Sequence, residues 1–254
     1  MADDIKTKHD IKPAPSTAPG NLTVKKPKRD PGSDIDAFVQ RTRAMQAANR
    51  VQAHRGRLIF ALDATASRQP TWDMATQKTV EMFEEVSNLL DVQLVYYRGI
   101  GECVKSGWIS NSGRLVNLMA GVTCRAGATQ IGKILTHARD EGKANLICKP
   151  PVVFIGDAIE GDNIDALAVT AAELGQLGVK AFMFHEPHQD DNDGKVESAF
   201  REIARLTGGA YCRFDANAPH QLAQLLRAVA AFTVGGVKAL EAMPGAVKLL
   251  EQLS

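Results

Sequence analysis

Asp63-Ala64-Thr65-Ala66-Ser67 sets a carboxylate and two hydroxyls at alternate positions, straight after the apolar run Leu58-Ile59-Phe60-Ala61-Leu62. In an open α/β sheet, ligands bind beyond the carboxyl ends of the strands, which makes this strand end the candidate functional edge. Alternate residues can turn toward one point, and a carboxylate with two neutral hydroxyl oxygens suits a hard cation such as Mg²⁺. The same residue types cap helices, but three oxygens are more than one cap uses. Two further loops carry the same kind of oxygen. Thr129 ends the glycine-bearing segment Arg125-Ala126-Gly127-Ala128-Thr129, and Asp157 follows the apolar run Pro151-Val152-Val153-Phe154-Ile155-Gly156.

Other chemistries find less support. Gly127-Ala128-Thr129-Gln130-Ile131-Gly132-Lys133 imitates a phosphate-binding loop, yet Ile134 stands where a hydroxyl is needed for Mg²⁺ and no clear strand precedes it. No G-x-G-x-x-G opens a helix, so a dinucleotide site is unsupported. The acidic segment at 185–194 misses the register of a calcium loop, with Phe200 where the closing Glu belongs, and reads as a solvated loop edging the main site. Four dispersed cysteines without a C-x-x-C pair read as reduced thiols. A formal net charge of +1 gives no field pointing to nucleic acid or a membrane surface. Residues 1–33 lack the apolar core of a signal peptide, and no later run approaches the roughly 18 apolar residues of a membrane helix. A cytoplasmic location is the expectation.

The elements that must position these loops follow from periodicity. Residues 1–33 hold five of the eleven prolines and seven Lys or Arg against four Asp, the composition of a disordered tail. A helix over 34–56 carries Ile35, Phe38, Val39 and Met45 near one face and is expected to pack on the domain. After Ser67, Pro70 and Asp73 open a helix with Trp72 one turn in and Val80, Phe83, Val86 and Leu90 at helical spacing. Trp72 belongs either beside the site or against the sheet. Strands at 92–97 and 103–109 are too close for a crossover helix and must form an antiparallel hairpin. Ser112 caps a helix with Leu115, Leu118, Met119 and Val122, and another helix runs from 131 to about 141. Beyond the central strand at 151–155, Glu160 and Asp162 add negative charge and Asn163 caps a helix. A strand at 179–185, a helix at 196–206, a strand at 210–214 and a helix at 219–232 complete the domain over 57–232. Residues 233–254 read as a C-terminal helical extension of two short pieces after Gly235-Gly236. The alternation predicts a doubly wound, mostly parallel six-stranded sheet with one antiparallel edge strand and helices on both faces, a Rossmann-like α/β fold.

This order of loops and elements resembles the von Willebrand factor A (vWA) domain with its metal-ion-dependent adhesion site. The motifs are Asp63-Ala64-Thr65-Ala66-Ser67, Gly127-Ala128-Thr129 and Val152-Val153-Phe154-Ile155-Gly156-Asp157. The resemblance implies that Thr65, Ser67 and Thr129 supply hydroxyl ligands, with Asp63 and Asp157 as the charged pair. It implies Mg²⁺, or Mn²⁺ or Ca²⁺ in its place, and a protein partner that offers a carboxylate, with no catalysis. Ala158 stands where many relatives have glycine. A second resemblance is to haloacid-dehalogenase-like phosphohydrolases, with Asp63 as nucleophile, Thr129 with Lys133 or Lys149, and Gly156-Asp157 with Asp162 holding Mg²⁺. That scheme usually has a second Asp two residues after the nucleophile, where this chain has Thr65, which cannot act as the proton donor at neutral pH.

Because no apolar pattern in 1–33 can dock, removing these residues should leave the melting temperature and divalent-ion binding unchanged, as thermal denaturation and calorimetry of the truncated chain will show.

Overall fold

The computed structural model describes residues 55–86, 90–145, 149–159, 163–187, 194–213 and 219–241. All of these fall within the unit His54–Ser254. The expected tail over 1–33 and nearly all of the helix over 34–56 lie outside them, as do Glu160, Asp162 and residues 188–193.

Among the described residues, six strands form one sheet. In chain order they are β1 (Gly56–Asp63), β2 (Leu90–Arg98), β3 (Glu102–Lys105), β4 (Val152–Gly156), β5 (Ala181–His185) and β6 (Ala210–Arg213). The spatial order is β3-β2-β1-β4-β5-β6. Every pairing is parallel except the β2–β3 hairpin, which places β3 as the antiparallel edge. The helices are α1 (Gln69–Val86), α2 (Ser112–Ala120), α3 (Ile131–Ala144), α4 (Ile164–Leu177), α5 (Lys195–Thr207) and α6 (Pro219–Glu241).

Strand periodicity divides the core between two faces. Leu58, Phe60, Leu62, Val92, Leu94, Val153 and Ile155 pack with Trp72 and Phe83 of α1, Leu115 of α2 and Leu226 of α6. Ile59, Ala61, Val95, Tyr97, Val152 and Phe154 pack with Ile134 of α3, Leu167 of α4 and Phe200 of α5. A strand covered on both sides has to be apolar throughout, which is why β1 and β4 read as unbroken runs. The polar residues that follow them are therefore forced to the strand ends. Among the described residues no helix is long and apolar enough to cross a membrane.

Several local expectations are corrected. Leu90 opens β2 rather than closing α1, since it is fully buried beside Gly56 in the sheet. β3 stops at Lys105, and Ile109 reaches the sheet only as a single bridge to Val92. Asn111, not Ser112, caps α2 by accepting from the Arg114 N–H at 3.0 Å. The helix expected to end at 232 runs on as α6 through Gly235-Gly236 to Glu241, so the extension begins within a continuous helix; residues 242–254 lie outside the described set. Asn163 caps α4 as expected, accepting from the Asp165 and Ala166 N–H groups.

Phe154 stacks on Tyr97 at 6.2 Å and meets Phe200 edge-on at 5.5 Å. Phe154→Ala should cost about 3–5 kcal/mol of unfolding free energy, measured by denaturant titration, because the rigid strands around it cannot collapse into the cavity.

Candidate functional site

Asp63 is the last residue of β1 and only 1% exposed. Its buried charge is met by two donors. The Thr65 N–H donates to Oδ1 at 2.7 Å, and the Tyr97 hydroxyl donates to Oδ2 at 2.9 Å. Tyr97 reaches it because the β1–β2 register sets Tyr97 directly beside Asp63, and parallel neighbours in register share a face. Burial pushes the Asp63 carboxyl above its ordinary range, the Thr65 and Tyr97 hydrogen bonds pull it down, and the charge of Asp157 pushes it up.

The chain then tightens into one 3₁₀ turn, Ala66–Arg68, closed by the Arg68 N–H donating to the Thr65 carbonyl at 3.1 Å. This turn sorts the side chains. Thr65 is buried, Ser67 is exposed, and the Thr65 and Ser67 hydroxyl oxygens lie 3.1 Å apart. Arg68 turns inward and is 2% exposed.

Asp157 follows β4 and is 7% exposed. The β1 and β4 ends lie against each other, since a Cβ placed on Gly156 would stand 3.4 Å from the Asp63 Cβ. Asp157 Oδ1 is buried without a hydrogen-bond partner among the described residues. An orphaned buried carboxylate oxygen beside a second acid and a hydroxyl pair suits a cation or its bound water. No group of three His, Cys, Asp or Glu side chains among the described residues is placed to hold a metal ion, so an ion here would depend on the neutral hydroxyls.

Thr129 is buried in the loop between α2 and α3, at the same end of the sheet. The Arg125 N–H donates to the Ala64 carbonyl at 3.0 Å, and the Ala128 N–H to the Gly99 carbonyl at 3.2 Å. Gly127 permits this approach, because any Cβ there would overlap the Gly99 backbone. Gly99 itself needs its positive φ of 57° to turn the hairpin. The loop follows a helix and not a strand, in line with rejecting a phosphate-loop reading.

Two participants, Tyr97 and Arg68, were not picked out in the sequence, and a third, Glu186, fell in the segment expected to be a solvated loop edging the site but is buried. Tyr97 looked like a hairpin residue, and only the register reveals its hydroxyl. Arg68 is ion-paired with Glu186, the residue after β5, and the Glu186 N–H donates to the Gly156 carbonyl at 3.0 Å. Burial lowers the Arg68 guanidinium from its ordinary range, while the charges of Asp157 and then Asp63 raise it. Position directly after a strand was the available signal for Glu186. Trp72 is a core residue, 3% exposed.

A parallel sheet in this order, with a β2–β3 hairpin and acids at the ends of β1 and β4, defines a von Willebrand factor A fold. The solved structures agree. One similar structure is a von Willebrand factor type A protein from Catenulispora acidiphila, at 15% identity and TM-score 0.57, covering 71% of this chain and 43% of that one. Another is an aerotolerance-related membrane protein from Bacteroides fragilis, at 16% identity and TM-score 0.51, covering 67% of this chain and 98% of that one. A third is the pilus adhesin SpaC from Lactobacillus rhamnosus GG, at 11% identity and TM-score 0.56, covering 70% and 30%. This chain thus spans less than half the length of the first and third. No protein-family model and no curated protein matches the sequence.

Tyr97→Phe should lower stability by about 1.5–3 kcal/mol at neutral pH, because it removes a hydrogen bond to a buried charge. The variant's Asp63 carboxyl then sits higher still, so the deficit shrinks as pH falls and Asp63 protonates. Chemical denaturation of both proteins across pH 4–8 checks the magnitude and the sign.

Proposed function

We propose that this domain is a metal-dependent protein-binding module. Thr65, Ser67 and Thr129 would offer neutral oxygens to a Mg²⁺-type ion, with Asp63 and Asp157 supplying the negative charge. A divalent ion held by few full charges stays electrophilic, and its chemistry here is attraction for an exogenous carboxylate. The partner is accordingly a protein presenting an acidic group at the exposed Ser67 side. The observation that carries this reading is the buried Asp157 Oδ1, which has no hydrogen-bond partner among the described residues and lies at the strand end beside Asp63. The kinship of fold with a pilus adhesin points the same way.

The phosphohydrolase reading uses the same Asp63 as a nucleophile. Both Asp63 oxygens already accept hydrogen bonds, from Thr65 and Tyr97, which suits a fixed charge better than an attacking group. Asp63→Asn and Ser67→Ala separate the two. As a binding module the parent should bind Mg²⁺ or Mn²⁺ in calorimetry and release no phosphate, and each variant should lose about tenfold or more in ion affinity. Metal-dependent capture of an acidic partner should fall with it. Mg²⁺-dependent phosphate release that survives Ser67→Ala and vanishes in Asp63→Asn would instead establish the hydrolase.

A further inference from the structure

Among the described residues, one guanidinium is buried beside the ion site proposed above. Arg68 is 2% exposed, comes one residue after Ser67, and is ion-paired with Glu186. The charges of Asp157 and then Asp63 act on it and favour its charged form. Glu186 is held against the β4 end by its own N–H on the Gly156 carbonyl, one residue before Asp157. Arg68 is thus a fixed positive charge paired with Glu186, in the turn that follows Asp63 and tied through Glu186 to the β4 end that carries Asp157.

We propose that Arg68 is the resident cation of this acidic centre, held by Glu186, and that it competes with a divalent ion for Asp63 and Asp157. The inference deepens the metal-module reading and rests on it for the ion concerned. Its physics is simple. A guanidinium that faces the acids neutralises part of the charge an incoming ion needs, and it repels the ion directly at low dielectric. One positive charge leaves the three acids short of neutrality, so the ion still binds, but more weakly than it would without Arg68. The ion pair with Glu186 also gives the guanidinium a partner when an ion draws Asp157 away. The same clasp ties the Ser67 turn to the β5 end, linking ion occupancy to the position of the exposed hydroxyl.

The test uses the full chain, with Mn²⁺ as the probe. Arg68→Gln and Arg68→Met should bind Mn²⁺ at least about tenfold more tightly than the parent in calorimetry or by electron paramagnetic resonance. Arg68→Lys keeps the charge and should stay within about threefold of the parent. In chelator, Arg68→Met should melt below the parent, and saturating Mn²⁺ should raise its melting temperature by more than it raises the parent's. Glu186→Gln provides a route that leaves Arg68 in place. It frees the guanidinium to turn to Asp157, so Mn²⁺ affinity should fall, and by clearly less when Arg68 is already Gln. Equal or weaker Mn²⁺ binding by both neutral Arg68 variants, or an equal Glu186→Gln loss in both backgrounds, overturns the proposal. The metal-module reading is judged separately on the parent. A parent that ignores Mn²⁺ while Arg68→Gln binds it upholds the role of Arg68 and defeats that reading for the native chain. Absence of binding in every protein defeats both.

Discussion

The site depends on holding two carboxyl groups buried at one end of a sheet. Asp63 and Asp157 close two adjacent central strands and have little access to water. Leaving such a charge uncompensated costs several kcal/mol, so each nearby polar group has a fixed task. The Thr65 amide and the Tyr97 hydroxyl serve Asp63, and the buried Arg68 pairs with Glu186. Asp157 Oδ1 has no hydrogen-bond partner among the described residues.

Sheet register is what makes such compensation possible. Tyr97 stands beside Asp63 only in the observed β1–β2 pairing, and a slip of one residue would turn its ring to the opposite face. Phe154 and Phe200 pack behind that ring, so the core that stabilises the domain also fixes a donor of the site. The Thr129 loop is held differently, by backbone hydrogen bonds to Ala64 and Gly99 and by the absence of a side chain at Gly127. Precision at the sheet edge thus comes from two sources, strand register and close backbone approach.

The 3₁₀ turn after Thr65 divides the roles of consecutive residues. Ser67 faces solvent, while Arg68 enters the interior and meets Glu186. One turn therefore presents an oxygen outward and a positive charge inward. Consecutive residues of this turn thus contribute to two different environments, solvent and the buried sheet end.

By itself the sequence determined the layered architecture. The unbroken runs of β1 and β4 can only be strands covered on both faces, the short spacing after β2 forces a hairpin, and Asn163 declares a helix start. The acids and hydroxyls after those runs were legible as strand-end groups for the same reason, since a doubly covered strand expels polar residues to its ends. Local pattern was weaker where two solutions cost nearly the same. Asn111 and Ser112 are both good caps, Leu90 fits a helix face or a strand start, and Gly235-Gly236 weakens a helix without breaking it. Only the tertiary structure could bring Tyr97 to Asp63 and Arg68 to Glu186. Those pairs are separated by 34 residues in the first case and by most of the domain in the second, and they meet through strand order and register. Periodicity reports which face a residue occupies, whereas charge compensation depends on which other element shares that face.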